Sequence, residues 1–221
     1  MGILDIIGPV MVGPSSSHTA GAARMGLFAR NLFGACPERV WIGLHGSFAA
    51  TGHGHGTDLA LVGGLLGCSP DDEALRISLD LAAQAGLHVD FATVDLGEVH
   101  PNSAWLKLRQ GDRQLELQAS SLGGGKIQVW NIDGFPTDLR GTYPTLLFVY
   151  PDQPGAVAEV SRVLAEAKMN LAAIKAHRRT RGGQALMEVQ LDEVPPQALL
   201  ETLQSLARFE QFRFIPALEG A

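Results

Sequence analysis

Three short segments gather the side chains that could bind an anion or move a proton. Gly13-Pro-Ser-Ser-Ser-His-Thr19 places four hydroxyls and an imidazole in a turn just ahead of a helical pattern. The first turn of a helix leaves backbone N–H groups unpaired, so the segment Ser15-Ser-Ser-His-Thr19 is a candidate binding site for a small carboxylate or phosphate. One serine there would read as a helix cap; four hydroxyls and a histidine exceed what capping needs. Thr51-Gly-His-Gly-His-Gly-Thr-Asp58 follows. Its glycines let backbone approach a ligand closely, and His55 is the candidate for proton transfer because imidazole titrates near neutrality. If the segment is locally extended, His53 and His55 share a face and with Asp58 form a conceivable metal set, though the flanking glycines give it no rigid presentation. Thr57 or Asp58 alternatively caps the next helix.

Ser121-Leu-Gly-Gly-Gly-Lys126 reads either as an anion nest, with Gly123 and Gly124 offering backbone N–H groups, or as a bulged strand entry. It lacks the Walker A spacing, which disfavours nucleotide hydrolysis. Asn102, in the turn His100-Pro-Asn-Ser103, is a turn former that could also bond a substrate carboxylate. No Gly-x-Ser-x-Gly elbow supports a serine hydrolase.

Composition narrows the classes. The chain has 221 residues, 46% hydrophobic and 18% charged, which fits one large or two ordinary packed domains. A net charge of −6 without a Lys/Arg cluster argues against nucleic acid as a partner. No apolar run reaches membrane-span length, and the first residues lack a basic region and cleavage site, so a cytoplasmic location is expected. Cys36 and Cys68 stand alone, without a C-x-x-C pattern or a disulfide framework.

The elements that must position these residues follow from periodicity. Helices are expected at 20–33, 58–66 and 71–84, strands at 39–48, 88–94 and 126–132, and a hairpin at 104–109 and 113–118. Residues 134–144 hold two prolines and two glycines without periodicity, and a domain boundary is expected there. Beyond it, strands at 145–150, 171–180, 185–191 and 209–215 alternate with helices at 156–168 and 195–207. The order is βαββαβ, the split βαβ plan, and the fold class is α+β. Asp152-Gln-Pro-Gly155 starts a helix directly after a strand, and Asn170 precedes the next strand. Asp152, Gly155 and Asn170 are therefore candidate effector contacts for a small amino acid, if the two points lie near each other at a sheet edge; composition alone reads them as a turn and a C-cap.

Taken in order, Gly-Pro-Ser-Ser-Ser-His-Thr at 13–19, Gly-x-Gly-His-x-Thr-Asp at 52–58, His-Pro-Asn at 100–102 and Ser-x-Gly-Gly-Gly at 121–125 resemble the bacterial iron–sulphur L-serine dehydratases. The similarity covers most of 1–135, which it implies is an α+β domain of substrate-binding type. Residues 136–144 would be a linker, and 145–217 resemble a ferredoxin-like ACT domain, a module that binds amino acids and often pairs with copies of itself. The resemblance implies conversion of L-serine to pyruvate and ammonia with a [4Fe–4S] cluster. Such a cluster needs several thiolates, and two isolated cysteines do not supply them. The resemblance thus places the cluster in a separate alpha subunit, makes this a beta chain, and leaves no metal site here. It also implies that Ser15, Ser17, His18, Thr19, His55 and Asn102 border a site near the interface of the two chains, with His55 in a proton-transfer or substrate-orienting role. His53 falls where relatives often carry Lys and receives no role. The first domain further resembles the extra substrate-binding domain of some phosphoglycerate dehydrogenases, which implies an allosteric alternative.

Overall fold

The computed structural model describes residues 10–218. The chain divides into two compact units, one running to Arg140 and the other starting at Gly141.

The first unit begins, after a short bend, with a π-helical turn, Ser16–Gly21, that runs into α1, Ala22–Phe33. The helix expected from residue 20 is thus preceded by a wider turn, a feature common where a backbone is shaped for function. Gly34, at φ +81°, ends α1 in the left-handed conformation. Strand β1 is Arg39–His45. The strand expected to reach residue 48 stops three residues early, because Gly46 turns at φ +57° and Gly46–Thr51 forms helix α2. A single 3₁₀ turn, His53–His55, separates α2 from α3, Thr57–Leu66. The helix expected over 71–84 is split into a 3₁₀ segment, Glu73–Ile77, and α4, Ser78–Gln84.

Strands β2, His88–Thr93, β3, Asn102–Gln110, β4, Arg113–Gly123, and β5, Lys126–Ile132, follow. Residues 135–139, expected to lie in an aperiodic linker, instead form β6, Phe135–Leu139, which pairs with β5. Phe135, Thr137 and Leu139 are buried and alternate with more exposed positions, a period-2 signal hidden by Pro136 and the neighbouring glycines. Pro136 is tolerated because β6 is an edge strand.

The six strands take the order β2-β1-β3-β4-β5-β6, with only β1 and β2 parallel. The segment from α2 to α4 forms the crossover that a parallel pair requires. Alternation on β3 and β4 buries Ala104, Leu106, Leu108, Leu115, Leu117 and Ala119 on one face, where α1 packs against β4 and β5. The opposite face carries Trp41 and Trp105 edge to face at 5.6 Å, with Lys107 Nζ 4.0 Å from the Trp105 ring centre. Helices α1 and α3 touch backbone to backbone. A Cβ on Gly26 would lie 2.2 Å from the Leu61 carbonyl oxygen, and one on Gly64 2.0 Å from that of Ala23. Glycine is required at both positions, and this contact fixes the first half of α1 against the second half of α3.

The second unit has strands β7, Thr145–Pro151, β8, Leu171–Arg178, β9, Gln184–Leu191, and β10, Gln211–Ile215, with helices α5, Ala156–Glu166, and α6, Gln197–Gln204. The sheet order β10-β7-β9-β8 is antiparallel throughout and ferredoxin-like, as the βαββαβ pattern predicts. Leu146, Phe148, Met187, Val189, Val160 and Leu203 form its core.

Candidate functional site

The π-helical turn is capped by Ser15, whose Oγ accepts the His18 backbone N–H at 3.2 Å. The turn directs the His18 ring toward Phe48 of α2, with ring centres 5.2 Å apart, and toward His55, at 5.0 Å. His18 Nε2 lies 3.2 Å from both Ser47 Oγ and Thr51 Oγ1, and Nδ1 lies 3.4 Å from Ser15 Oγ. The Thr51 hydroxyl donates to the Ser47 carbonyl at 2.9 Å. Its proton is therefore committed, and toward His18 it can only accept. This favours the neutral tautomer with the proton on Nε2, leaving Nδ1 to accept from Ser15. Burial, and after it the neighbouring His55, lowers the His18 pKa below the usual imidazole value, against a smaller raising influence from Ser47. His18 is thus neutral at neutral pH.

His55 has a tautomer fixed from the other side. Its Nδ1 is 2.9 Å from the Thr51 carbonyl oxygen, which can only accept, so Nδ1 carries the proton and Nε2 keeps its lone pair. The Thr19 hydroxyl donates to the His55 carbonyl at 3.4 Å, tying the 3₁₀ turn to the start of the first helix. Thr19 is buried, while Thr51 and His55 are exposed.

The glycine-rich segment closes onto the same turn. It is the tip of the β4–β5 hairpin, with a register shift between Ser121 and Gly123, so the bulged-strand reading describes it. Ser121 Oγ donates to the Ser17 carbonyl at 2.9 Å. This approach needs Gly21, where a Cβ would meet Ser121 Oγ at 1.9 Å. A Cβ on Gly123 would lie 3.8 Å from Ser17 Oγ, and Gly124 follows at the turn with φ +60°. The Arg24 guanidinium, only 2% exposed, donates to the Gly125 carbonyl at 2.8 Å and holds the hairpin tip against α1. The fourth motif arrives through backbone: Asn102 forms a bridge with Gly46, and the Pro101 carbonyl accepts the Ser47 N–H at 2.8 Å. Ser15, Ser17, His18, Thr19, His55, Asn102 and Gly123 are thereby linked through α2 and the π-helical turn.

Other expectations are corrected. His53 and His55 lie in a 3₁₀ turn, not an extended segment. His53 points away, its ring fully exposed and its Nδ1 2.7 Å from Asp58 Oδ2, while His55 engages Thr51. Among the described residues no three His, Cys, Asp or Glu side chains group as a metal site. Gly56 occupies the cap position of α3 at φ +69°, and Asp58, within the first turn, accepts the Leu59 N–H at 2.9 Å. Asp152 and Asn170 do not lie together. Strands β7 and β8 both run antiparallel to β9, so the end of β7 and the start of β8 are at opposite ends of the sheet. Asp152 accepts the Gly182 N–H at 3.0 Å with Arg178 beside it, which holds its carboxyl below the usual range. Gly155 caps α5 at the same end, at φ +101°, whereas Asn170 bonds Asp192 at the other.

Ser47, Thr51 and Arg24 carry much of the geometry and were not singled out from sequence. Ser47 was hidden in the expected end of β1. Arg24 reads as one charged residue in an otherwise apolar helical face, a signal for a buried, paired cation.

This architecture has relatives. The serine dehydratase beta chain family matches residues 3–85, and the ACT domain family residues 145–208. A probable L-serine dehydratase beta chain from Bacillus subtilis is 42% identical over 209 residues, 95% of each chain. The chain belongs to the serine dehydratase beta chain family. An L-serine dehydratase beta chain from Peptoniphilus asaccharolyticus is 38% identical over 213 residues, 96% of each chain. A Synechocystis D-3-phosphoglycerate dehydrogenase is 24% identical over 189 residues, 84% of this chain but 34% of that protein. Within the beta chain family framework, the hydroxyl-rich turn and the His55 segment both fall inside the matched region 3–85.

Proposed function

We propose that this chain is the beta subunit of an L-serine ammonia-lyase, converting L-serine to pyruvate and ammonia together with an alpha subunit. The observation that carries the reading is the convergence on His18 of groups from separated motifs: Ser15, Ser47, Thr51 and His55. The [4Fe–4S] cluster implied by the family resemblance does not fit this chain. Cys36 and Cys68 follow different helices, and burial, with Asp72 nearby, raises the Cys68 thiol pKa, the reverse of what a thiolate ligand needs. The cluster belongs with the alpha subunit in this reading, and two free cysteines suit a cytoplasmic, reducing setting.

The reaction removes the α-proton and the hydroxyl of serine. The Cα–H electron pair becomes the C=C bond as the C–O pair leaves with the hydroxyl, which takes up a proton to become water; the cluster, when bound in the alpha subunit, would supply Lewis acidity for that departure. The aminoacrylate left behind tautomerises and is hydrolysed to pyruvate and ammonia. This chain's groups serve the organic side. Nε2 of the exposed His55 accepts the α-proton. The neutral His18 beside it adds no positive charge that would oppose that transfer. Ser17 and Asn102, with backbone at Gly123 and Gly124, orient the carboxylate, while Ser15 and Thr19 spend their protons on His18 Nδ1 and the His55 carbonyl and hold the two histidines in place.

The ACT unit fits amino-acid sensing and self-association. Asp152 and Gly155 lie at one end of its sheet and Asn170 at the other, so a small amino acid touching all three would bridge two copies. The match to a phosphoglycerate dehydrogenase favours a second reading, a regulatory module that binds serine without touching the chemistry. Anaerobic co-purification with a cysteine-bearing partner, followed by a serine-to-pyruvate assay, tests the proposal. Turnover is expected only with both chains; full turnover by the partner alone would assign this chain the regulatory role.

A further inference from the structure

A row of hydrogen bonds crosses three strands of the first sheet and ends beside the candidate site. The Trp130 indole N–H of β5 lies 3.1 Å from Ser120 Oγ on β4, Ser120 Oγ lies 2.7 Å from Ser103 Oγ on β3, and Ser103 Oγ lies 2.5 Å from the His100 carbonyl oxygen. Ser103 is fully buried and Ser120 is 3% exposed. The direction of every bond is forced. A carbonyl only accepts, so the single Ser103 proton goes to His100. Ser120 must then donate to Ser103, and it accepts from the indole, which only donates.

The turn at the end of this row seats α2. The Pro101 carbonyl accepts N–H groups from Ser47 at 2.8 Å and Phe48 at 3.4 Å, supplying partners to the otherwise unpaired start of the helix. Asn102 N–H bonds His100 Nδ1 at 3.1 Å, which folds the turn on itself. Helix α2 in turn carries Ser47 and Thr51, the two hydroxyls on His18 Nε2.

We propose that Ser103 is a positioning residue for the serine site: through the His100 carbonyl it fixes the turn that places Asn102 and holds α2 against His18. The proposal rests on the reading of this site as the place where serine binds. Ser103 touches no substrate, so its effect passes through the turn. Removing its hydroxyl leaves the His100 carbonyl without its buried donor and frees the turn to shift.

The test is steady-state kinetics of the anaerobic two-chain enzyme. Ser103→Ala is expected to raise the KM for serine about tenfold, the size of one lost buried hydrogen bond, with kcat and iron–sulphur absorbance within about twofold of wild type. Ser103→Thr keeps the donor and restores KM. Trp130→Phe leaves the Ser103–His100 bond in place and changes KM less than Ser103→Ala does. An unchanged KM in Ser103→Ala, or a fall in kcat alone, overturns the proposal. Should Ser103→Ala fail to fold, Ser103→Cys, whose thiol is a much weaker donor, must raise KM while Ser103→Thr does not, and the reverse overturns it. Asn102→Ala and His55→Ala separate the two levels. If both matter and Ser103→Ala does not, this inference alone fails; if neither matters, the site reading fails and takes this inference with it.

Discussion

His55 donates its Nδ1 proton to the Thr51 carbonyl at 2.9 Å. That bond gives the imidazole one available function at neutral charge, proton acceptance at Nε2. The residue four positions earlier thus settles what the ring can do, and Thr51 uses its side chain on the neighbouring His18 at 3.2 Å. One turn of helix organises both histidines.

The proximity of the two rings has a measurable electrostatic consequence. Burial first, and the His55 ring second, hold His18 below the ordinary imidazole value. His55→Ala removes the second cause and leaves the first. The His18 pKa, followed by NMR of its ring C–H resonances, is expected to rise in this variant without reaching the ordinary value. An unchanged or lower pKa would show that the rings do not communicate.

The same shift sets a pH dependence of stability. The unfolded chain binds a proton at His18 near the ordinary value of about 6.5, above the folded one. Stability from this group is therefore complete above that value and is lost as pH falls through the depressed folded value. Thermal midpoints measured from pH 8 to pH 5 are expected to fall less steeply for His18→Gln than for the wild-type chain. Parallel curves would contradict the assignment.

Gly64 tests the packing that carries the site. Its Cβ would lie 2.0 Å from the Ala23 carbonyl oxygen, a backbone atom that cannot swing away. Gly64→Ala is expected to cost about 1–3 kcal/mol, the range for forced overpacking, read as a lower denaturation midpoint of the first unit. A midpoint equal to wild type would mean that α1 and α3 are not in backbone contact.

His53 provides the opposite expectation. Its ring is exposed and its partner is Asp58. Exposed pairs contribute little, so His53→Ala is expected to leave turnover of the two-chain enzyme within about twofold of wild type. A large loss would revive a direct role for this imidazole.

Much of this was legible in the sequence because the signals are local. Alternation marks β1, β3 and β4, and Gly34 ends α1 as its position predicts. The βαββαβ order of the second unit followed from periodicity alone. The clustering of hydroxyls, imidazoles and glycines flagged Ser15, His18 and His55. What remained hidden depends on contacts distant in sequence. Helix α2 forms because the Pro101 carbonyl, more than fifty residues on, accepts its first N–H groups, so Ser47 read as strand. The π-helical turn needs Ser121 on the Ser17 carbonyl. The separation of Asp152 from Asn170 depends on β9 lying between β7 and β8, which element order does not reveal without the pairing.

In the proposed function, this chain supplies the proton-transfer face of a site shared with the alpha subunit. Saturated turnover of the anaerobic two-chain enzyme carrying His55→Ala measures it most directly, with iron–sulphur absorbance as the control for assembly. A loss of about 10²–10⁴-fold, the usual contribution of a general base, with the cluster intact is the predicted result. Turnover within twofold of wild type, with a changed response to added amino acids, would contradict it and assign the site to regulation.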